Sequence, residues 1–541
     1  MNSPLQNVVE VLISNNTGLA NDALYVYITD GNNNFYKVDS TNHWTATINS
    51  GGACCIKLHD LPTTNNGLHF FYLNTSNGMT GGRVWFAASD TALSKSSTGG
   101  IVQPTVSADY VFDFVELAIN PTVGSTLGNA NIDTTQVDSL GIPITLFVNP
   151  AENSLQFPPT TSFAPSPTNG FPNVIGITPW LSLETIINNF TTNITNTAFA
   201  PFNVCGWNSG SVNRLVAPFH LINDFQTGVT PSALATFLDT AIYEFFNYYT
   251  TNTLTLQDPV SLNYYSGTVT TVSQTDITGG TSTYNVLQFN CGGELLNVYY
   301  PYFTTNCTAF PGPGALTSGV TLSPPPTWWS GNLDSAMPAT AMAMGCAGAF
   351  ADSAFQTGAS NTTLLGNLEN QVVSMINRGL SPATGNLIQF NAGFTAADIT
   401  NNQVSITTGL PSGAVFAPGM NIIKQVAAQP TTIISANSAG NTPLQIIFTS
   451  YVDELLPVNT CQFICGTFYP APTSNAATYS NIYSGYLHNG LGTAPAPLLN
   501  NIGYGYAYDD QGGYSNDITV GFDSNNSLTL GVFLGPLQNA N

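Results

Sequence analysis

The first constraint on this chain is its shortage of charge: 7% of its 541 residues are Asp, Glu, Lys or Arg, against about 25% in an ordinary soluble domain. Its polar complement is drawn instead from Asn, Thr and Ser, with 49 Gly and 34 Pro. Thr favours strands, while Gly, Pro, Asn and Ser favour turns. The mixture predicts a mainly β protein with many connections. Disorder is excluded, because 43% of the residues are hydrophobic and 11% aromatic, enough to bury a core. The length allows about three or four domains, or two large ones.

The sign of the little charge present excludes several partners. Seven Lys and Arg stand against 29 Asp and Glu, a formal net charge of −22. No basic stripe exists to displace counterions, so no nucleic acid is expected as a partner. An anionic membrane surface would repel the chain, and no run reaches the roughly 18 apolar residues of a membrane span. The nearest approach, 336–351, contains Pro338 and many small residues, which predicts a tightly packed buried segment. Phosphorylated substrates would lack cations to hold them. A neutral polar substrate fits, and a polysaccharide is the obvious one.

Eight cysteines (54, 55, 205, 291, 307, 346, 461 and 465) are compatible with an oxidising compartment. Their pairing is not specified by sequence, although Cys461 and Cys465 are candidates for a local pair. No Cys-x-x-Cys occurs and the five histidines are scattered, so no metal centre is expected. The opening residues Met1-Asn2-Ser3-Pro4 show no basic or apolar region of a signal peptide.

Alternation and turn signals predict strands over 8–13, 23–28, 69–73, 83–87, 110–119, 132–137 and 142–148. A Pro/Ser/Thr-rich linker is expected over 158–172. Apolar residues at helical spacing then predict one helix running through Leu234, Leu238, Ile242, Phe245 and Phe246, and a second over 363–378. Further strands are expected at 267–272, 284–289, 403–407, 431–435, 444–451, 518–522 and 527–533.

With so few ionisable groups, an acid inside a strand is informative. In Val111-Phe112-Asp113-Phe114-Val115-Glu116-Leu117-Ala118-Ile119-Asn120, one face carries Val111, Val115, Leu117 and Ile119. The other carries Phe112, Phe114, Glu116, Ala118 and Asn120. A strand is a rigid mount, and neighbouring rings can raise a carboxyl pKa. After a loop comes Ile132-Asp133-Thr134-Thr135-Gln136-Val137-Asp138-Ser139-Leu140-Gly141. Pairing as a long-looped hairpin would let Glu116 and Asp138 face one groove. Parity, however, groups Asp138 with Thr134 and Gln136, and places Asp133 with Thr135 on the opposite face, so a bulge would be needed to bring both to one groove. On pattern alone, an acid in an exposed strand is more often a solvated edge charge than a catalytic group.

These two segments resemble the signature pair of the family-64 glycoside hydrolases, which are endo-acting β-1,3-glucanases with a thaumatin-like barrel. Gly82-Arg83-Val84-Trp85-Phe86, Cys346-Ala347-Gly348-Ala349-Phe350 and Tyr504-Gly505-Tyr506-Ala507-Tyr508-Asp509-Asp510 resemble further family motifs in collinear order. The resemblance implies a thaumatin-like β-barrel domain (1–165 and 471–541), a mixed α/β domain (166–385) across a wide open groove, and a β-rich insertion (386–470) without a family counterpart. It implies Glu116 as general acid and Asp138 as general base of an inverting mechanism, which needs two carboxyls and no cofactor. It also matches Asn120 and Thr135 to positions that touch sugar and Asp133 to an acid of the cleft, and it carries Arg83, Asp509 and Asp510 over as substrate-binding residues, the alternative being a buried ion pair for Arg83 and a turn or strand-end cap for the two acids. β-1,3-glucan is the expected partner, the protein a secreted monomer. The loop 121–130 carries no aromatic ring to stack on sugar. Trp85, Trp180, Trp207, Trp328 and Trp329 are the candidates for that role, each weighed against a place in the core. The rival readings are a glucan-binding protein without catalysis and a capsid-like surface β protein.

Overall fold

The computed structural model describes residues 8–31, 35–38, 43–47, 55–74, 78–88, 111–121, 128–148, 174–177, 181–193, 203–207, 212–224, 232–251, 253–258, 261, 263–276, 278–301, 339–351, 362–377, 389–390, 404–408, 421–424, 430–435, 445–448, 480–489, 505, 518–522 and 528–539. In chain order the first strands are β1 (Val8–Asn15), β2 (Leu24–Thr29), β3 (Phe35–Val38), β4 (His43–Thr47), β5 (Cys55–Lys57), β6 (His69–Asn74), β7 (Met79–Ala88), β8 (Val111–Asn120) and β9 (Gly128–Thr134). Next come β10 (Ser139–Leu140), β11 (Ile144–Val148), β12 (Val174–Gly176), β13 (Asn203–Trp207), β14 (Val212–Val216), β15 (Leu254–Gln257), β16 (Tyr264–Thr275), β17 (Thr281–Cys291) and β18 (Glu294–Tyr299). The last are β19 (Gln389–Phe390), β20 (Val404–Thr408), β21 (Asn421–Lys424), β22 (Pro430–Ser435), β23 (Gln445–Phe448), β24 (Ile518–Phe522) and β25 (Leu528–Leu534).

Thirteen strands make the principal sheet, in the order β12-β11-β25-β1-β6-β4-β3-β2-β7-β8-β9-β24, with β5 added on β2. Pairing is antiparallel except at β1–β25 and β4–β6. Among the described residues no ladder joins β12 to β24, so the path is open. The strand near the C-terminus, β25, lies between β1 and β11 and ties the two ends of the chain into one sheet.

Alternation explains the core. Val9, Val11, Ile13, Val26, Ile28, Val84, Phe86, Val111, Val115, Leu117, Ile119 and Ile132 all turn into one large hydrophobic cluster. On the other side of β2, β7 and β8, Tyr27, Trp85, Ala87, Phe112 and Phe114 form a separate aromatic layer. These strands are therefore buried on both faces, which is why they read as long apolar runs.

Smaller sheets follow: β10-β14-β13, β15-β16-β17-β18, and β19-β20-β23-β22-β21 within 386–470. The helices are α1 (Leu183–Asn193), α2 (Pro218–Asp224), α3 (Ser232–Ala235), α4 (Asp239–Tyr248), α5 (Ala339–Gly345), α6 (Thr362–Asn377) and α7 (Ile482–Asn489). The single helix expected through Leu234 and Phe246 is two, α3 and α4. The break has a tertiary cause: the Leu238 N–H donates to the Thr340 hydroxyl at 2.9 Å, outside the helical ladder. Residues Ala339 to Met344 of α5 are all buried, as the small-residue pattern predicts.

Candidate active site

Register on the principal sheet builds a row of polar side chains. Thr29 of β2 pairs with Arg83 of β7, Arg83 with Glu116 of β8, and Glu116 with Asp133 of β9. Directly opposed residues of antiparallel strands share a face, so these four side chains lie on one rung. The next rung inward is Tyr27–Trp85–Phe114. Trp85 stacks on Tyr27 at 5.6 Å with 4° between the planes, and its Nε1–H donates to the Thr29 hydroxyl at 3.0 Å. Trp85 is only 2% exposed, so this candidate sugar platform is instead part of the floor beneath the charged rung.

That floor seats Arg83. Its guanidinium lies 4.4 Å from the Phe114 ring centre and 5.5 Å from that of Trp85, a cation–π arrangement. Nε–H donates to Glu116 Oε1 at 2.8 Å, and Nη1 lies 3.7 Å from Asp138 Oδ2. One guanidinium therefore reaches both carboxyls.

Asp138 arrives by a different route from the expected one. The strand expected over 132–137 is β9, Gly128–Thr134, because Ala130 and Ile132 point inward while Asn129 and Asn131 point outward. The chain then leaves the sheet. The Thr135 hydroxyl accepts from the Val137 N–H at 3.4 Å, the Tyr483 hydroxyl of α7 donates to the Gln136 carbonyl at 2.8 Å, and residues 137–138 form a bend. Beyond it, β10 pairs with β14, and the Ala217 N–H donates to the Asp138 carbonyl at 3.0 Å. A strand end and a bend, rather than a bulge, thus remove the parity conflict: Asp133 shares the face of Glu116 in register, and Asp138 returns to the same rung from outside.

Asp113 pins this route from the core side of β8. Its carboxyl accepts from the N–H groups of Phe114 at 2.9 Å and Gly141 at 3.1 Å. Burial pushes its pKa well up, against the pull of those donors and with Asp138 adding to the rise. A Cβ on Gly141 would sit 2.0 Å from the Phe112 carbonyl oxygen, so the close approach of the two backbones requires glycine there.

The two acids sit in opposed environments. Burial raises the Glu116 pKa, the charge and hydrogen bond of Arg83 oppose this, and Asp138 adds to it; the net direction is upward. Burial alone would raise Asp138 as well. The hydrogen bond and charge of His220, with Arg83 and Arg214, outweigh it and hold Asp138 below the usual carboxylate range. His220 Nε2 lies 2.7 Å from Asp138 Oδ1. Arg214, 1% exposed, lies 4.7 Å from the Phe112 ring centre with Nη1 3.4 Å from the Ser139 hydroxyl. The side chains of Glu116 and Asp138 keep 30% and 15% exposure. Asp138 Oδ2 is enclosed and accepts no hydrogen bond from the described residues.

The structure thus brings Arg83, Glu116, Asp133 and Asp138 together. Asn120 lies further out on the same face, exposed, its amide donating to Asn129 Oδ1 at 2.8 Å. Thr135 is buried in the bend. Asp509, Asp510, Trp180, Trp328, Trp329, Cys461 and Cys465 lie outside the described residues, and of Trp207 only its place on β13 is described. Sequence reasoning missed His220 and Arg214. Arg214 carried a usable signal: a cation inside the apolar run Val212–Val216, in a chain with seven cations, demands a partner. His220 carried none.

The sequence model of the family described as Beta-1,3-glucanase, Glyco_hydro_64, matches residues 7–289, a stretch that contains Arg83, Glu116, Asp133, Asp138, Arg214 and His220. The fold is similar to the crystal structure of a laminaripentaose-producing β-1,3-glucanase in complex with laminaritetraose, with TM-score 0.51 and 16% identity over 99% of this chain and 100% of that one. A β-1,3-glucanase domain (GH64) from Clostridium beijerinckii aligns over 98% of this chain and 99% of its own, at 14% identity and TM-score 0.44. No curated protein sequence matches the chain. A family match over more than half of the length defines the class, a glycoside hydrolase. The chain belongs to glycoside hydrolase family 64, the β-1,3-glucanases.

Proposed function

We propose that the chain cleaves internal bonds of β-1,3-glucan with inversion, Glu116 acting as general acid and Asp138 as general base. The observation that carries this reading is that one guanidinium reaches two carboxyls whose surroundings push their proton affinities apart. Such a split assigns acid and base. Arg83 holds Glu116 Oε1, leaving Oε2 to carry the proton given to the leaving glycosidic oxygen. His220 holds Asp138 Oδ1, and the ionised Asp138 carboxylate takes the proton of the attacking water. The bond from the anomeric carbon to the leaving oxygen breaks as the bond to the water oxygen forms. Inversion requires the carboxyls to be roughly 6.5–9.5 Å apart, to admit that water.

On the same reading Asn120, Asp133 and Arg83 face sugar hydroxyls, whereas Thr135, also expected to touch sugar, is buried just before the bend. Asp509 and Asp510 join the groove by family likeness alone. The division into a thaumatin-like barrel (1–165 and 471–541), an α/β domain (166–385) and an insertion (386–470), a monomeric state and secretion complete the proposal. Among the described residues no helix is long and apolar enough to cross a membrane.

The test is the anomeric proton spectrum during hydrolysis of laminarin. Inversion releases the α-anomer first, which then mutarotates; early β-anomer overturns the inverting assignment. Binding to insoluble glucan with no new reducing ends overturns catalysis altogether and leaves a binding protein. The pH profile follows from the two directions. Turnover needs Asp138 ionised and Glu116 protonated. The lowered Asp138 moves the acidic limb down, the raised Glu116 moves the alkaline limb up, and a broad plateau between them is expected in initial-rate measurements.

A further inference from the structure

We infer that His220 is the positioning residue of the base: its ring holds the Asp138 carboxylate in one orientation. This rests on the reading of Asp138 as general base. The geometry is direct. Nε2 stands 2.7 Å from Oδ1, and an ionised carboxylate can only accept, so the hydrogen is on Nε2. A carboxylate held at Oδ1 by a ring donor cannot rotate freely, and Oδ2 is turned to the enclosed side. Arg83 Nη1, at 3.7 Å, is beyond hydrogen-bond distance of that oxygen and steadies it by charge alone.

The seat of His220 is built to hold that ring in place. The Asp138 carbonyl accepts from Ala217, the residue before α2, and Pro218 opens α2 at the position where a helix needs no N–H. His220 is therefore one short turn away from the backbone that also anchors its partner. From behind, α5 packs on α2 so closely that a Cβ on Gly345 would lie 2.2 Å from the Phe219 ring. The ring of Phe219 in turn meets His220 edge-on, with centroids 5.3 Å apart. Acid and base thus use one device. Arg83 occupies one oxygen of Glu116 and His220 one oxygen of Asp138, and each carboxyl is held in place by that donor.

The groups facing Asp138 are Arg83 from β7, Asp113 and Glu116 from β8, Arg214 from β14, His220 from α2 and Tyr483 from α7. Only His220 among them makes a hydrogen bond to the Asp138 carboxyl, so its removal acts on orientation and on proton affinity together. In His220→Ala we expect kcat on laminarin to fall roughly 10²-fold, KM to stay within about twofold by the same argument of misplacement rather than lost binding, and the acidic limb of the kcat profile to move to higher pH. His220→Gln, which can return an N–H donor but not a charge, is expected to recover much of the rate and part of the shift of the limb. In the wild-type protein with labelled histidine, the ring signal that disappears in His220→Gln is expected to carry a hydrogen on Nε2, a readout that does not depend on how His220→Ala folds. Wild-type kcat and limb in His220→Ala overturn the inference. So does a loss of rate with the limb unmoved and no recovery in His220→Gln, or a ring without a hydrogen on Nε2. Asp138→Asn separates this inference from the one beneath it: if that variant turns over laminarin normally, Asp138 is not the base at all.

Discussion

Glu116→Gln is expected to stop laminarin hydrolysis, with turnover falling roughly 10²–10⁴-fold, while the strand signal in circular dichroism and the melting temperature stay close to wild type. The reason lies in the rung. Gln can still accept from Arg83 Nε–H through its carbonyl oxygen, so the seat built by Phe114 and Trp85 survives. What it lacks is a proton to give to a departing sugar oxygen. An aryl β-laminarioside with a nitrophenolate leaving group needs no such proton, and on it the variant should keep most of its rate. Equal losses on both substrates would show that Glu116 is not the acid. Full activity on laminarin would remove it from the mechanism.

The second large effect is structural. Gly141→Ala places a Cβ where the Phe112 carbonyl oxygen already stands, 2.0 Å away. Backbone cannot yield as a flexible side chain does, so the cost reaches about 3 kcal/mol, the upper end of overpacking. The same shift pulls the Gly141 N–H from Asp113 Oδ2 and carries Asp138 with it. We expect a lowered denaturation midpoint together with a fall in kcat larger than the unfolded fraction explains. A variant as stable and as active as wild type would show that the close approach of 141 to β8 plays no part in placing the base.

Much of this was legible before any coordinates. Alternation in 111–119 marked both faces of β8 correctly, because a strand buried against aliphatics on one side and aromatics on the other keeps its period of two. Glu116 stood out because carboxylates are rare in this chain. The end of β9 was not legible: Thr134 and Thr135 are equally good strand residues, and what stops the ladder is tertiary, the pull of α7 at Gln136 and of β14 at Ser139. His220 was not legible either. It lies 82 residues from Asp138, and no local period links a histidine on one short helix to an acid on a distant bend. The break between α3 and α4 escaped for the same reason, since the hydroxyl that causes it belongs to Thr340.

Glu116 is strung on the principal sheet, whereas Asp138 hangs from the three-stranded one. Their spacing is thus set across a seam, stitched by Arg83, by Asp113 with Gly141, and by Tyr483 with Gln136. Junctions of this kind part at lower free energy than continuous ladders do. On warming, the enzyme would fall silent while its sheets were still whole, and cooling would restore it.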